Sequence, residues 1–205
     1  MMPSDAAEAD DQALIAAAAR GDLVATRRAM SAGASVSARD ARGRTGLLAA
    51  THGNHIEIAR LLIASGADVN AKDAIQDSPF LYAGAEGRNE ILRLTLAAGA
   101  DLKSTNRYGG TALIPAAHHG HVEAVRILLA TGIDIDHVNN LGWTALLEAV
   151  ILGDGGAAHT EIVRLLTAAR ANLNLSDRDG VTPLRHARTR GQTAIIRILE
   201  QAGAR

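Results

Sequence analysis

One short pattern returns along this chain at a nearly constant interval. A Ser or Thr opens each copy, an Ala follows five residues later, and successive openings are separated by 33, 33, 33 and 38 residues. The opening residues are Thr45, Ser78, Thr111, Thr144 and Thr182. A period of about 33 residues indicates a protein built from stacked repeats, because one such unit cannot bury its apolar face without a neighbour.

Each copy carries the signals for two short helices. A Ser or Thr side chain can accept a hydrogen bond from the backbone at the start of the first helix. Nine residues later the chain places a Gly, or an Asn in the case of Asn54, and both tolerate the left-handed conformation that ends a helix. A second apolar stretch then runs to another Gly, such as Gly66 or Gly99. The pattern predicts an all-α fold of hairpin loop, helix, turn and helix.

Three stretches give this pattern a family resemblance. They are "TPLRHA" at 182–187, "GHVEAVRILL" at 120–129 and "AGAD" at 98–101. Together they resemble the ankyrin repeat family, over essentially the whole chain. The resemblance implies a solenoid of about six helix-turn-helix units with short hairpin loops, following a polar N-terminal segment at 1–9. The expected repeats span about 10–38, 39–71, 72–104, 105–137, 138–175 and 176–205.

The fifth repeat is longer than the others. Its five extra residues fall within "GDGGAA" at 153–158, between the two helices. This stretch invites a phosphate or metal site, but His159 and Glu161 align with ordinary repeat positions, and the Gly-Lys-Ser/Thr ending of a phosphate loop is missing. We interpret the stretch as a structural insertion, with a partner-binding loop as the alternative. Arg170 replaces the Gly that ends the second helix, which predicts a left-handed backbone at Arg170.

A histidine cluster and an arginine stripe could each bind a ligand, or could be ordinary exposed positions of the repeat. "HHGH" at 118–121 offers imidazoles for a metal, but adjacent residues on a helix point about 100° apart, so contact with a partner or with solvent is favoured. An arginine stripe could attract nucleic acid. It is formed by Arg27, Arg60, Arg93, Arg126, Arg164 and Arg197. Four of these follow a Glu by three residues, a spacing that pairs on a helix surface, so we expect a neutralised face.

The hairpin tips are unexpectedly apolar for loops. Ile75, Tyr108 and Leu141 occupy three successive tips, and Trp143, the only Trp, directly precedes Thr144. Exposed aromatic and aliphatic groups of this kind are typical of interaction hot spots, although tips that pack on one another are the structural alternative. The predicted partner-binding residues are Arg44, Ile75, Asp77, Tyr82, Tyr108, His118, His119, Leu141, Trp143, Ile151 and Leu152.

These observations favour a binding module over an enzyme. The chain has no Cys, which excludes disulfides, thiolate zinc sites and Cys nucleophiles, and its net charge of −1 gives no field that favours nucleic acid. No catalytic constellation is recognisable, and we expect no cofactor or metal. The resemblance implies a non-catalytic module that binds another protein through the hairpin tips and the concave first-helix surface of repeats three to five. The alternatives are a regulatory or inhibitory subunit for a bacterial enzyme and, less favoured, an enzyme or a nucleic-acid binder.

The N-terminus and the hydropathy of the chain predict its cellular location. "MMPSDAAEADDQ" is acidic and polar and lacks the basic start and apolar stretch of a secretory signal. No apolar run has the length of a membrane span. We therefore expect no membrane insertion and a location in the cytoplasm, or in the periplasm if a signal once preceded residue 1. We also expect a monomer.

Overall fold

The computed structural model describes residues 5–205. All regular structure in this range is helical, which confirms the predicted all-α class. Twelve helices are described, arranged along the chain as six pairs. They are α1 (Asp5–Arg20), α2 (Leu23–Ser31), α3 (Gly46–His52), α4 (Ile56–Ala64), α5 (Pro79–Ala85), α6 (Asn89–Ala97), α7 (Leu113–His118), α8 (Val122–Leu129), α9 (Ala145–Ile151), α10 (Ala157–Ala168), α11 (Pro183–Thr189) and α12 (Thr193–Gln201).

The first helix of a pair begins where the sequence predicts in four of the five copies. The side-chain oxygens of Thr45, Ser78, Thr144 and Thr182 each accept the backbone N–H three residues later. Thr111 differs, because Ile114 N–H donates to the Thr111 carbonyl oxygen at 3.2 Å and the buried Thr111 hydroxyl has no hydrogen-bond partner. Pro115 explains the difference, since its ring has no N–H and clashes with the carbonyl four residues earlier.

Several helices end at the predicted left-handed residues, whereas Gly132 and Gly153 at the equivalent positions do not have positive φ. Asn54 has φ 55°, and Arg170 has φ 66° in the place that Gly66 and Gly99 occupy with φ 86°. The N-terminus extends further into helix than the 1–9 segment suggested. Helix α1 begins at Asp5, because Ala and Glu favour helix, and residues 1–4 of that segment lie outside the described residues.

The chain divides into two compact units. Among the described residues, the N-terminal unit comprises 5–83 and Arg88–Asp101. The first helices of two successive pairs, α1 and α3, pack on each other, and so do the second helices of two successive pairs, α4 and α6. Fully buried Leu, Ile and Phe side chains fill the space between these helices. They include Leu14, Leu47, Leu48, Ile58, Leu62, Phe80, Ile91 and Leu92.

The C-terminal unit comprises Gly84–Gly87 and Leu102–Arg205. Helices α7, α9 and α11 form one layer, and α8, α10 and α12 form the other. Its core is aliphatic, including Leu113, Val125, Leu128, Leu146, Ile162, Leu166, Ile195 and Leu199. Small residues allow close approach of the helices: a Cβ added to Gly84 would lie 2.9 Å from the Ala112 Cβ. The loops that precede α9 and α11 are thereby held along one edge of this unit.

Candidate functional site

One polar residue organises each hairpin tip, and the sequence analysis overlooked it. An Asp or Asn stands five residues before each opening Ser or Thr, and its Oδ1 accepts the backbone N–H groups two and four residues later. These residues are Asp40, Asp73, Asn106, Asn139 and Asp177. The signal was present, since Asp and Asn recur there with the same period as the Thr. Each tip therefore has a fixed backbone.

Neighbouring tips within each unit are joined by backbone hydrogen bonds. In the N-terminal unit, Ala74 N–H donates to the Arg42 carbonyl at 3.0 Å. In the C-terminal unit, Asn140 N–H donates to the Tyr108 carbonyl at 2.9 Å, and the Arg178 guanidinium donates to the Asn140 carbonyl. These bonds hold the side chains of successive tips side by side.

The tips present apolar side chains to solvent. Tyr108, Val138 and Leu141 of the C-terminal unit are 51%, 50% and 47% exposed, and Ile75 of the N-terminal unit is 51% exposed. Val138 was not among the predicted residues, because a single Val in a loop carries no distinctive signal. The Arg107 guanidinium carbon lies 4.8 Å from the centre of the Tyr108 ring. We call Tyr108, Val138 and Leu141 the tip patch.

The remaining predicted residues of the N-terminal unit are tied to their neighbours. The Arg44 guanidinium pairs with the Asp40 carboxylate at 2.7 Å. The half-buried Tyr82 ring stacks on His52, with centroids 3.8 Å apart and 14° between the ring planes. Asp77 is half-buried and directly precedes the opening Ser78. These contacts restrain Arg44 and Tyr82 before any partner binds.

A buried carboxylate lies beside Trp143 in the C-terminal unit. Asn139 accepts the Trp143 backbone N–H at 3.1 Å, and its Nδ2 donates to Glu148 Oε1 at 2.8 Å. Glu148 is only 6% exposed, and burial raises the pKa of its carboxyl, while the Asn139 hydrogen bond acts in the opposite direction. Trp143 is half-buried. The burial of Glu148 could not be predicted from the sequence, because it depends on the neighbouring repeats.

Two histidines face this carboxylate from α7 and its end. His118 Nδ1 lies 3.6 Å from Glu148 Oε2, and the His118 and His119 ring centres are 4.7 Å apart. Burial lowers the pKa of His118, and the charges of His119 and His159 lower it further. His119 Nδ1 donates to the Ala85 carbonyl at 2.7 Å, so this predicted contact residue already has a hydrogen-bond partner within the chain.

The apolar residues at the end of α9 complete this surface. Ile151 is half-buried, and Leu152, which ends the helix, is 42% exposed. The Trp143 backbone N–H and the Glu148 carboxylate both bind the Asn139 side-chain amide, and Ile151 follows Glu148 by three residues on the same helix. We call Trp143, Glu148, Ile151 and His118 the inner surface.

The insertion forms an ordered turn that lengthens α10. Gly155 is left-handed with φ 71°, and Asp154 Oδ1 accepts the Gly156 N–H at 2.8 Å, which lowers the pKa of Asp154. His159 contacts Asp154 at 2.8 Å and donates through Nε2 to the His118 carbonyl at 2.8 Å. His55 makes the corresponding contact with the Ala19 carbonyl, so His159 keeps its repeat role within α10.

The predicted pairs of the arginine stripe form on the second helices. Glu57, Glu90, Glu123 and Glu161 each lie within salt-bridge distance of the Arg three residues later. Arg126 also approaches Glu161 at 3.7 Å. Because the side chains of these pairs are largely exposed, each pair contributes about 0.2–0.5 kcal/mol, but together they offset the positive charge of this part of the stripe.

Residues 5–205 contain neither a ready metal site nor a membrane-spanning helix. In that range no three His, Asp or Glu side chains are placed to hold a metal ion together. Likewise, none of the described helices has the length and hydrophobicity needed to cross a bilayer.

Comparison with known proteins places these features in a family. A family model of ankyrin repeats in three copies matches residues 3–73 and 80–166. An ankyrin repeat domain of Acinetobacter baumannii AYE is 59% identical, with a TM-score of 0.90 over 94% of this chain and 98% of that domain. The human ASB11 ankyrin repeat domain is 26% identical, with a TM-score of 0.81 over 94% of this chain and 84% of that one.

A bacterial relative matches over a shorter stretch. The putative ankyrin repeat protein YahD of Escherichia coli K12 is 46% identical over 57 residues, which is 28% of this chain and 28% of YahD. Ankyrin repeat domains are generally interaction modules without catalytic activity, which agrees with the fixed, apolar tips described above. The repeat period, the helix pairs and these matches together show that the chain belongs to the ankyrin repeat family.

Proposed function

We propose that this chain is a non-catalytic module that binds another protein through the tip patch and the inner surface of its C-terminal unit. The observation that carries the proposal is the combination of exposed apolar side chains with a fixed backbone. Tyr108 and Leu141 are about half exposed, and three hydrogen bonds to Asn106, Asn139 and the Tyr108 carbonyl fix their loops.

A fixed backbone matters because binding costs entropy when loops become ordered. Side chains that are already held in place avoid part of that cost. Tyr and Trp contribute strongly to interfaces, since each combines a large apolar area with few rotatable bonds. Tyr108 and Trp143 belong to one unit and supply both residue types.

The corresponding residues of the N-terminal unit form a second, weaker candidate surface. Ile75 is exposed, whereas Arg44 and Tyr82 already have partners within the chain. We propose that Ile75 and Asp77 contribute less to the affinity for the partner. We propose that the chain does this as a monomer, without a cofactor.

Affinity capture from a lysate of the source organism tests this function. We expect the wild-type chain to retain a protein that the double variant Tyr108→Ala/Trp143→Ala loses, with unchanged circular dichroism. Val24→Ala is the matched control, because Val24 lies on α2 and is 78% exposed, so it removes an exposed apolar side chain elsewhere. Retention of the same proteins by wild type and double variant would contradict the proposed surface.

A further inference from the structure

Glu148 occupies a position at which the fold does not require a carboxylate. The corresponding first-helix residues in the other copies are Ala49, Tyr82, Pro115 and His186. Their diversity shows that this position accepts apolar, aromatic and basic side chains. A charged group buried to 6% exposure is unfavourable unless it is paired and hydrogen-bonded. Glu148 therefore calls for an explanation other than helix stacking.

The hydrogen bonds of Glu148 are incomplete. Oε1 accepts one hydrogen bond, from Asn139 Nδ2 at 2.8 Å. Oε2 has the His118 Nδ1 as its nearest ionisable partner, at 3.6 Å, which is too long for a hydrogen bond. A carboxylate has about four acceptor sites on its two oxygens. Glu148 thus retains acceptor capacity on the side of the inner surface.

The last repeat shows what a complete pair looks like at the same two positions. There Asp177 Oδ2 and His186 Nε2 are 2.7 Å apart, and the two side chains satisfy each other. In the fifth repeat, Asn139 has replaced the Asp and Glu148 has replaced the His. The buried Glu148 carboxylate therefore has a neutral hydrogen-bond donor in Asn139, while His118 lies 3.6 Å away, beyond hydrogen-bond distance, and His119 acts on it only through its charge.

The neighbours of Glu148 suit a cationic side chain. The backbone N–H of Trp143 and the carboxylate of Glu148 bind the same Asn139 side-chain amide, and the indole ring of a Trp can attract a cation above its face. Ile151 adds apolar surface one turn further along α9, where the stem of a Lys or Arg side chain can pack. Partial exclusion of water at Glu148 also strengthens its attraction for a cation.

We propose that Glu148 binds a Lys or Arg side chain of the partner protein, with Trp143 contacting the same side chain. This inference rests on the proposed function, because it names the chemistry that the inner surface recognises. His118 does not take the place of that cation at neutral pH, because burial and the neighbouring histidines hold its pKa below the usual value. The carboxylate stays available.

A displayed library of random peptides tests the inference without a known partner. The library is selected in parallel against wild type, Glu148→Gln and Trp143→Ala. Glu148→Gln keeps an oxygen for Asn139 and removes only the charge. We expect wild type to enrich peptides with Lys or Arg at one position. In a synthetic copy, replacing that residue by citrulline or acetyl-lysine should weaken binding at least about tenfold to wild type and less than about twofold to Glu148→Gln.

Each result decides between the two proposals. If wild type and Glu148→Gln enrich the same peptides, the cation inference is wrong, whereas the proposed surface stands. If Trp143→Ala enriches the same peptides as wild type, or wild type enriches none, the proposed function itself fails. His118→Lys provides an independent variant, since it places an internal cation beside Glu148 and should reduce enrichment of basic peptides. Unchanged enrichment by His118→Lys would also overturn the inference.

Discussion

Asn139→Asp is the substitution whose effect follows most directly from the geometry of the inner surface. Asp at this position of the tip is compatible with the loop, since Asp40, Asp73 and Asp177 accept the same two backbone N–H groups. The substitution nevertheless replaces the Nδ2 donor, 2.8 Å from Glu148 Oε1, by a second carboxylate oxygen. Two buried carboxyl groups would then share one site.

The magnitude follows from the contact that is lost. A hydrogen bond to a charged acceptor contributes about 1.5–3 kcal/mol, and like charges at this distance force one carboxyl to take up a proton. We therefore expect Asn139→Asp to lower the free energy of unfolding by about 2–3 kcal/mol at neutral pH. Burial already raises the pKa of Glu148, and a second carboxylate would raise it further. Stability of the variant should consequently fall as pH rises through that raised pKa, and recover in acid.

A second substitution should restore the lost stability. The double variant Asn139→Asp/Glu148→His reproduces the pair that Asp177 and His186 form at 2.7 Å in the next repeat. Urea denaturation of wild type, both single variants and the double variant gives the coupling energy, which we expect to be about 2–3 kcal/mol. Additive effects within about 0.5 kcal/mol would refute the reasoning.

The chain provides a matched control for the tip itself. Asn106 accepts two backbone N–H groups in the same way, at 2.9 and 3.1 Å, but the residue in the place of Glu148 is Pro115. Asn106→Asp should therefore change the free energy of unfolding by less than about 0.5 kcal/mol. An equal loss in both Asn→Asp variants would assign the effect to the loop and remove Glu148 from the explanation.

Three further predictions concern backbone strain, packing and pH. Arg170→Gly should stabilise the chain by about 0.5–1 kcal/mol. The left-handed φ of 66° costs a residue with a side chain about 1–2 kcal/mol, and the greater conformational entropy of Gly in the unfolded chain offsets about half of that gain. An unchanged midpoint of urea denaturation would contradict this prediction. Gly84→Ala should destabilise the chain by about 1–3 kcal/mol, because the new Cβ would lie 2.9 Å from the Ala112 Cβ, and this clash outweighs the better helix propensity of Ala. A raised thermal midpoint would contradict the prediction and show that the helices can separate. Binding of a basic peptide should weaken as the pH falls from neutral into the acid range, because burial raises the pKa of Glu148 and favours its neutral form, and because the charges of His118, 3.6 Å away, and His119 compete with the peptide cation. Affinity that does not change with pH would contradict the role of Glu148.

Much of the helical framework could be predicted because its signals are local. A Thr or Ser hydroxyl reaches a backbone N–H three residues away, as at Thr45 and Thr144, and a left-handed turn needs only the residue that adopts it, as at Asn54 and Arg170. Thr111 was the exception. There the helix-opening signal conflicted with a Pro four residues later, and the steric effect of the ring prevailed.

The inner surface could be predicted only in part. The position of Trp143 before the opening Thr indicated a contact residue, and adjacent His118 and His119 indicated exposed imidazoles. Glu148 looked like an ordinary variable residue, because nothing within its own helix buries it. Its environment comes from His118, thirty residues earlier in the chain, and from Asn139 in the preceding tip.

The sequence by itself therefore determined the period, the helix pairs and the family, because each depends on patterns within one repeat or between consecutive repeats. It also determined which residues occupy the tips. The tertiary structure alone decided which of these side chains remain exposed, and which carboxylate is buried with a free oxygen. Burial and electrostatic shifts depend on atoms from several repeats at once, so they exist only after the helices have stacked.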